Sequence, residues 1–219
     1  MNAIIKEGLI CIFRGVPKGK IIPTAKAVFD GGVRIIEVAF NPAAPETAMD
    51  TAAAISAIKT ALPEMTVGAG TVVSKKLVEI AYKADAQFIF SPNFNPDVVR
   101  LTKKLGMLSI PGAYTPSECA AAYDAGADVV KMFPVTVNDT GYINNIMRPL
   151  NYIPFICVGG VNENTIEEFF KVGACGVGTG ISIVKNELVE SENYSEITRL
   201  AKAHMDVIRE CQKKYGTVK

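Results

Sequence analysis

Short apolar segments rich in β-branched residues alternate with stretches of helical length along the whole chain. The strand-like segments span residues 9–13, 33–40, 65–68, 87–90, 107–110, 128–133, 154–158 and 176–179. The intervening stretches with helical patterning span residues 21–29, 48–62, 75–83, 96–105, 116–124 and 165–171, followed by 197–213 at the carboxyl end. Regular alternation of strand and helix predicts a parallel sheet covered by helices.

Eight such units in 219 residues favour one closed barrel over an open sheet. A doubly wound sheet would need a reversal of strand order, and it usually carries a GxGxxG turn after its first strand, which this chain lacks. Several helical stretches end in Gly or Ala turns that lead directly into the next strand, as at 30–33 and 171–174. We therefore predict the α/β class, with a single (β/α)8 TIM barrel domain over residues 1–219.

Composition argues against several classes of partner. The chain has 23 basic and 22 acidic side chains, for a net charge of +1, and it shows no basic patch interleaved with aromatic residues, so we expect no nucleic-acid partner. No apolar run approaches the roughly 20 residues of a membrane span, and the first 14 residues do not read as a signal peptide. We expect a cytoplasmic protein without a membrane partner.

The number and spacing of the cysteines and histidines argue against disulfides and zinc sites. The five cysteines are scattered and form no CxxC pair, which predicts reduced thiols instead of a disulfide framework. The single histidine, His204, is predicted to belong to the C-terminal helix. One histidine cannot form a His-rich zinc site, and we expect no metal.

Two charged residues stand inside strand-like segments, Glu37 between Ile36 and Val38 and Lys131 between Val130 and Met132. An isolated ionised group in such a place costs several kcal/mol or shifts its pKa toward the neutral form. A lysine that loses its proton in an apolar interior can attack a carbonyl and form a Schiff base. The alternative is a structural ion pair between the two side chains, and periodicity alone leaves both interpretations open.

Glycine-rich turns follow the seventh and eighth strand-like segments, at 159–160 and 176–180. Barrels often bind phosphate at these two places, because glycines let backbone N–H groups approach an anion. Each turn taken singly is a weak signal, more often only a tight turn, whereas the two together after the seventh and eighth segments are a much stronger one. Arg14, at the end of the first segment, could hold a carboxylate or phosphate or could be a surface residue, and Glu118 and Glu163 are predicted to be charges at helix N-termini.

Taken in order and spacing, these motifs resemble the class I 2-keto-3-deoxy-6-phosphogluconate (KDPG) aldolase family over nearly the whole chain. The motifs are Ile36-Glu37-Val38, Gly68-Ala69-Gly70-Thr71, Ser91-Pro92, Pro111-Gly112, Lys131-Met132-Phe133-Pro134, Gly159-Gly160-Val161 and Gly176-Val177-Gly178-Thr179. The resemblance implies a (β/α)8 barrel, usually a homotrimer, that uses no metal or organic cofactor. It also implies cleavage of a phosphorylated keto-deoxy sugar acid to pyruvate and glyceraldehyde 3-phosphate, with 4-hydroxy-2-oxoglutarate as a further substrate in some relatives.

The family's functional residues fall on matching positions of this chain. By resemblance, Lys131 is the Schiff-base lysine, Glu37 the general acid and base, and Thr71 a ligand of the pyruvyl carboxylate. The remaining matches are Pro92 and Phe133, which shape the pocket, and Gly159, Gly160, Gly178 and Thr179, which cradle the phosphate.

Two substrate-binding positions depart from the gluconate branch. Asn41 stands where that branch commonly has an arginine that anchors the substrate carboxylate, and Val158 stands where it tends to have threonine. Together with Asn93, these residues look more like the branch that acts on the galactonate epimer. Arg14 is the candidate to replace the missing anchor.

Glycine-rich turns do not identify one function, because many phosphate-binding barrels with different activities carry them. A phosphosugar isomerase or epimerase, another phosphate-binding synthase, and a non-catalytic phosphate-binding protein are the alternatives. Such proteins would not need Lys131 as a nucleophile.

Overall fold

The computed structural model describes residues 2–216, so Met1 and residues 217–219 of the predicted domain lie outside the described residues. Within the described residues, the strands are β1 (Leu9–Phe13), β2 (Ile35–Ala39), β3 (Thr66–Gly70), β4 (Phe88–Phe90), β5 (Leu108–Ile110), β6 (Gly112–Ala113), β7 (Val130–Met132), β8 (Phe155–Val158) and β9 (Gly176–Thr179). The α-helices are α1 (Asn2–Glu7), α2 (Ile21–Asp30), α3 (Ala48–Ala61), α4 (Lys75–Lys83), α5 (Pro96–Lys104), α6 (Pro116–Asp124), α7 (Thr140–Met147), α8 (Ile166–Lys171), α9 (Asn186–Glu190) and α10 (Tyr194–Tyr215).

All strand pairs are parallel, and their order β5-β4-β3-β2-β1-β9-β8-β7-β6 runs around a nearly closed barrel. The predicted (β/α)8 TIM barrel is confirmed. The ninth strand arises because the chain resumes strand pairing just beyond the fifth predicted segment, on the other side of Pro111: Leu108–Ile110 pairs with β4, and Gly112–Ala113 pairs with β7. Proline has no N–H to donate to a ladder, but the carbonyl of Pro111 accepts from the Lys131 N–H at 2.9 Å. The chain thereby changes strand partners at one residue.

The six predicted helices between the strands are present, and the C-terminal helix is longer than the predicted 197–213. Sequence reasoning missed three helices, α1, α7 and α9. They are 6, 8 and 5 residues long.

Alternation along the strands separates two apolar layers. In β2, Ile35 packs inside the barrel, whereas Ile36 and Val38 pack outward against the helices. In β7, Val130 and Met132 likewise belong to the outer layer. Because successive strand residues point to opposite faces, Glu37 and Lys131 point into the barrel.

All five cysteines are buried, and none is joined in a disulfide within residues 2–216. Among residues 2–216, no helix combines the length and the apolar character that crossing a membrane requires.

Helix α3 offers a matched test of the outer core. Ile55 is 0% exposed and Met49 is 67% exposed on the same helix. We expect Ile55→Ala to lower the free energy of unfolding by about 2–5 kcal/mol, because it leaves a cavity between helix and sheet. Met49→Ala should change that free energy by no more than about 0.5 kcal/mol. Urea unfolding of both variants checks the difference, and equal effects would contradict the described packing of α3.

Candidate active site

A cavity of about 830 Å³ opens at the carboxyl ends of the barrel strands. This is the end at which barrel enzymes place their sites. Eleven of the twelve predicted site residues line it: Arg14, Glu37, Thr71, Pro92, Lys131, Phe133, Val158, Gly159, Gly160, Gly178 and Thr179. Residues that are distant in sequence are thus brought into one concave site.

Asn41 is the predicted site residue that the structure does not bring to the cavity. It is exposed two residues beyond the end of β2, and its side-chain oxygen accepts from the Ala43 N–H at 3.1 Å. This local turn directs the side chain to its own loop. Its role in substrate binding stays a prediction that the cavity lining does not support.

Lys131 and Glu37 are both buried in the barrel, with 6% and 2% of their surfaces exposed. Within the described residues they form no ion pair at 4 Å or less. The Nζ atom of Lys131 instead lies 4.2 Å from the ring centroids of both Phe90 and Phe133. The structural ion pair considered above is therefore not a direct contact, and both groups face the cavity.

Burial changes the proton affinity of both groups. It lowers the pKa of Lys131, an effect that the negative charge of Glu37 opposes and the positive charge of Arg14 reinforces. It raises the pKa of Glu37, against the opposing positive charges of Lys131 and Arg14. The site thus holds an amine that loses its proton more easily than usual beside a carboxyl that keeps its proton more readily. Such perturbed groups in a cavity are a sign of chemical use.

The position of the Glu37 carboxylate explains Gly70 in the Gly-Ala-Gly-Thr motif. A Cβ atom on Gly70 would overlap the carboxylate of Glu37 directly. Because Gly70 has no side chain, β3 leaves a space, and the Glu37 carboxylate on β2 projects into it. From the sequence, this motif was interpreted only for the hydroxyl of Thr71, and the role of Gly70 was missed.

Thr71 follows β3 with a φ of 55°, a left-handed conformation that costs a β-branched residue energy. Its Oγ1 accepts a hydrogen bond from Arg14 Nη2 at 2.8 Å. The contact brings a permanent positive charge and a hydroxyl together at the mouth of the barrel. This pair can receive a carboxylate by charge-assisted hydrogen bonds.

The two glycine-rich turns form one wall of the cavity. Gly159 has a φ of 120°, and a Cβ there would collide with the carbonyl of Val135, so only glycine fits. After β9 the chain makes a single turn, closed by the Val184 N–H to the Gly180 carbonyl at 2.7 Å. Within the described chain, the N–H groups of Ile181 and Ser182 that open this turn donate to no other group. Such N–H groups suit an anion.

Several residues of the site were not found from sequence. Phe90 looks like an ordinary core aromatic, and Ser182 lies in a turn without a motif. His204 does belong to the C-terminal helix as predicted, but its ring reaches Ser182 at the cavity. Glu118 caps α6 as predicted, whereas Glu163 precedes α8 and lies 3.6 Å from the His204 ring.

Comparison with known proteins agrees with this geometry. The family model described as KDPG and KHG aldolase matches residues 2–200. A 2-dehydro-3-deoxy-phosphogluconate aldolase from Treponema pallidum is 31% identical over 85% of this chain and 87% of its own. A probable 2-dehydro-3-deoxy-6-phosphogalactonate aldolase from Rhizobium meliloti is 33% identical over 83% of this chain and 84% of its own.

Solved structures give the same result. A structure described as native KDPGal has a TM-score of 0.83 and 28% identity, over 94% of this chain and 96% of its own. A KDPG aldolase from Legionella pneumophila, with pyruvate captured as a covalent carbinolamine, has a TM-score of 0.83 and 25% identity over 92% of this chain and 96% of its own. The fold, the site and the matched length lead to one conclusion: this chain belongs to the KDPG and KHG aldolase family.

Proposed function

We propose that this protein is a class I aldolase that cleaves a phosphorylated 2-keto-3-deoxy sugar acid to pyruvate and glyceraldehyde 3-phosphate. The observation that carries the proposal is the pair of buried groups: an amine with a lowered pKa on β7 and a carboxyl with a raised pKa on β2 face one cavity without pairing directly. An isomerase would not need that amine. The names of the relatives support the same activity.

In this proposal, the neutral Nζ of Lys131 attacks the carbonyl at carbon 2, and loss of water leaves an iminium. The Glu37 carboxylate takes the proton of the carbon-4 hydroxyl. The electrons of the bond between carbons 3 and 4 move to the iminium, so that an enamine forms and the aldehyde leaves. Glu37 then returns its proton to carbon 3, and water hydrolyses the new iminium to release pyruvate and Lys131.

The two ends of the substrate meet different parts of the cavity wall. We infer that Arg14 and Thr71 receive the carboxylate, and that the turn at 159–160 and the end of β9 at 178–179 receive the phosphate. Relatives named for the gluconate and the galactonate epimers both match this chain, as do relatives named KHG/KDPG aldolase. The resemblance at Asn41, Asn93 and Val158 favours the galactonate epimer, and of these three residues Val158 lines the cavity. A further candidate substrate is 4-hydroxy-2-oxoglutarate. The homotrimer and the cytoplasmic location stay predictions.

Removing the amine tests the covalent step. Lys131→Ala should lower kcat by at least ~10³-fold, because the variant has no nucleophile to form the iminium. Steady-state kinetics with both epimers measures this loss. In parallel, pyruvate and borohydride should add mass to the unchanged protein at Lys131, located by peptide mapping, and should add none to the variant.

Lys104→Ala is the matched control, because Lys104 is an exposed lysine on α5. It should keep both the activity and the adduct. Substantial aldolase activity in a folded Lys131→Ala variant would refute the assignment of Lys131.

Removing either of the two charges near Lys131 should shift its pKa, and the two removals should shift it in opposite directions. Glu37 stabilises the ammonium and Arg14 destabilises it, so Glu37→Gln should lower the pKa of Lys131 further and Arg14→Met should raise it. Competitive labelling of amines with acetic anhydride over a pH series, read at Lys131 by peptide mapping, measures each midpoint. The Glu37→Gln midpoint should move to lower pH and the Arg14→Met midpoint to higher pH. Shifts in the same direction would contradict the arrangement.

Arg14 is the proposed anchor of the carboxylate. Arg14→Ala should raise KM for the sugar acid by about 10- to 100-fold with a smaller change in kcat, because a charge-assisted hydrogen bond is lost. Arg100→Ala, an exposed arginine on α5, serves as the control. An unchanged KM in Arg14→Ala would rule out the anchor.

A further inference from the structure

A chain of side-chain contacts leads from the buried face of the C-terminal helix to the glycine-rich turns of the cavity wall. His204 on α10 is 0% exposed. Its Nδ1 lies 2.8 Å from the Leu200 carbonyl, and its Nε2 lies 3.0 Å from Ser182 Oγ. Ser182 Oγ lies 2.7 Å from Thr179 Oγ1, which in turn lies 3.0 Å from the Val161 carbonyl. The aldol mechanism uses no atom of His204.

We propose that His204 is a positioning residue for the phosphate site, fixing Ser182 and through it Thr179, so that the two glycine-rich turns stay correctly spaced around the anion. This inference rests on the proposed function, because it takes the substrate's phosphate to occupy the cavity wall formed by those turns.

The direction of the hydrogens follows from the acceptors. A carbonyl only accepts, so the Leu200 contact places the ring hydrogen on Nδ1. Burial lowers the pKa of His204, which keeps the ring neutral, and Nε2 is then an acceptor. Ser182 must donate its one hydrogen to Nε2. The oxygen of Ser182 can therefore only accept from Thr179.

One hydrogen is then left for several acceptors. The hydroxyl hydrogen of Thr179 can go to Ser182 Oγ, to the Val161 carbonyl or to an anion in the cavity. Without the His204 acceptor, the Ser182 hydroxyl would lose the partner that fixes its direction. The Thr179 hydroxyl would then lose a neighbour held in one orientation.

The same contacts join three separate elements. Val161 follows β8, Thr179 ends β9, and His204 lies on α10. The Thr179 contact with Val161 ties the two glycine-rich turns to each other, and the Ser182 contact with His204 ties the second turn to the helix. Glu163 Oε2, 3.6 Å from Nε2, is the charged group that faces the ring from the first turn.

The test measures binding of inorganic phosphate by titration calorimetry, together with trapping of pyruvate at Lys131 by borohydride. His204→Phe keeps the bulk of the ring but removes the acceptor, and we expect its phosphate Kd to rise about 5- to 30-fold, the size of a lost buried hydrogen bond or two. Pyruvate carries no phosphate, so trapping at Lys131 should be unchanged. His204→Gln, which can again present an acceptor to Ser182, should recover most of the phosphate affinity.

Met205→Leu is the packing control, because Met205 is a buried neighbour on the same helix with no part in the chain of contacts. It should leave the phosphate Kd unchanged. An unchanged Kd in folded His204→Phe, no recovery in His204→Gln, or an equal loss of pyruvate trapping and phosphate binding would each overturn the positioning role. Failure of the proposed function has a different signature, namely no pyruvate adduct in the unchanged protein.

Discussion

The central constraint of this molecule is the burial of an amine and a carboxyl inside an apolar barrel. Desolvating two ionisable groups costs several kcal/mol each, and that cost is not offset by a direct ion pair between Lys131 and Glu37. The residues next to Glu37 and Lys131 provide space and contacts for these two side chains. The Glu37 carboxylate occupies the space that a side chain on Gly70 would fill, and two aromatic rings flank the Lys131 amine. Shifted pKa values are the consequence, and they are what the proposed chemistry uses.

The reacting groups and the proposed phosphate site lie on different strands of the barrel. The reacting groups stand on β2 and β7, and each of these strands is paired with a parallel neighbour on both sides. The glycine-rich wall follows β8 and β9, where the backbone itself is the binding surface. This wall needs support from outside the barrel, because glycine turns have little side-chain packing of their own. The contacts through Ser182 to α10 supply that support.

Prediction from the sequence was most successful where the spacing of apolar residues identifies strands and helices. The strand and helix alternation predicted the barrel, and a charged residue between two outward-facing apolar neighbours identified both Glu37 and Lys131. It failed for α7, in which Gly141, Asn144 and Asn145 have low helix propensity. It also grouped Asn41 with the site by resemblance, although a local hydrogen bond directs that side chain to its own turn.

By itself, the sequence determined the fold class, the inward direction of the two buried charged groups and the order of the glycine-rich turns. These properties depend on residues close together in the chain, through the twofold period of strands and the conformational freedom of glycine. Only the tertiary structure decided that Glu37 occupies the space of Gly70, that Arg14 holds Thr71 across 57 residues, and that His204 contacts Ser182 at the cavity wall. Such contacts join residues on different elements, and their distances exist only once the barrel has closed.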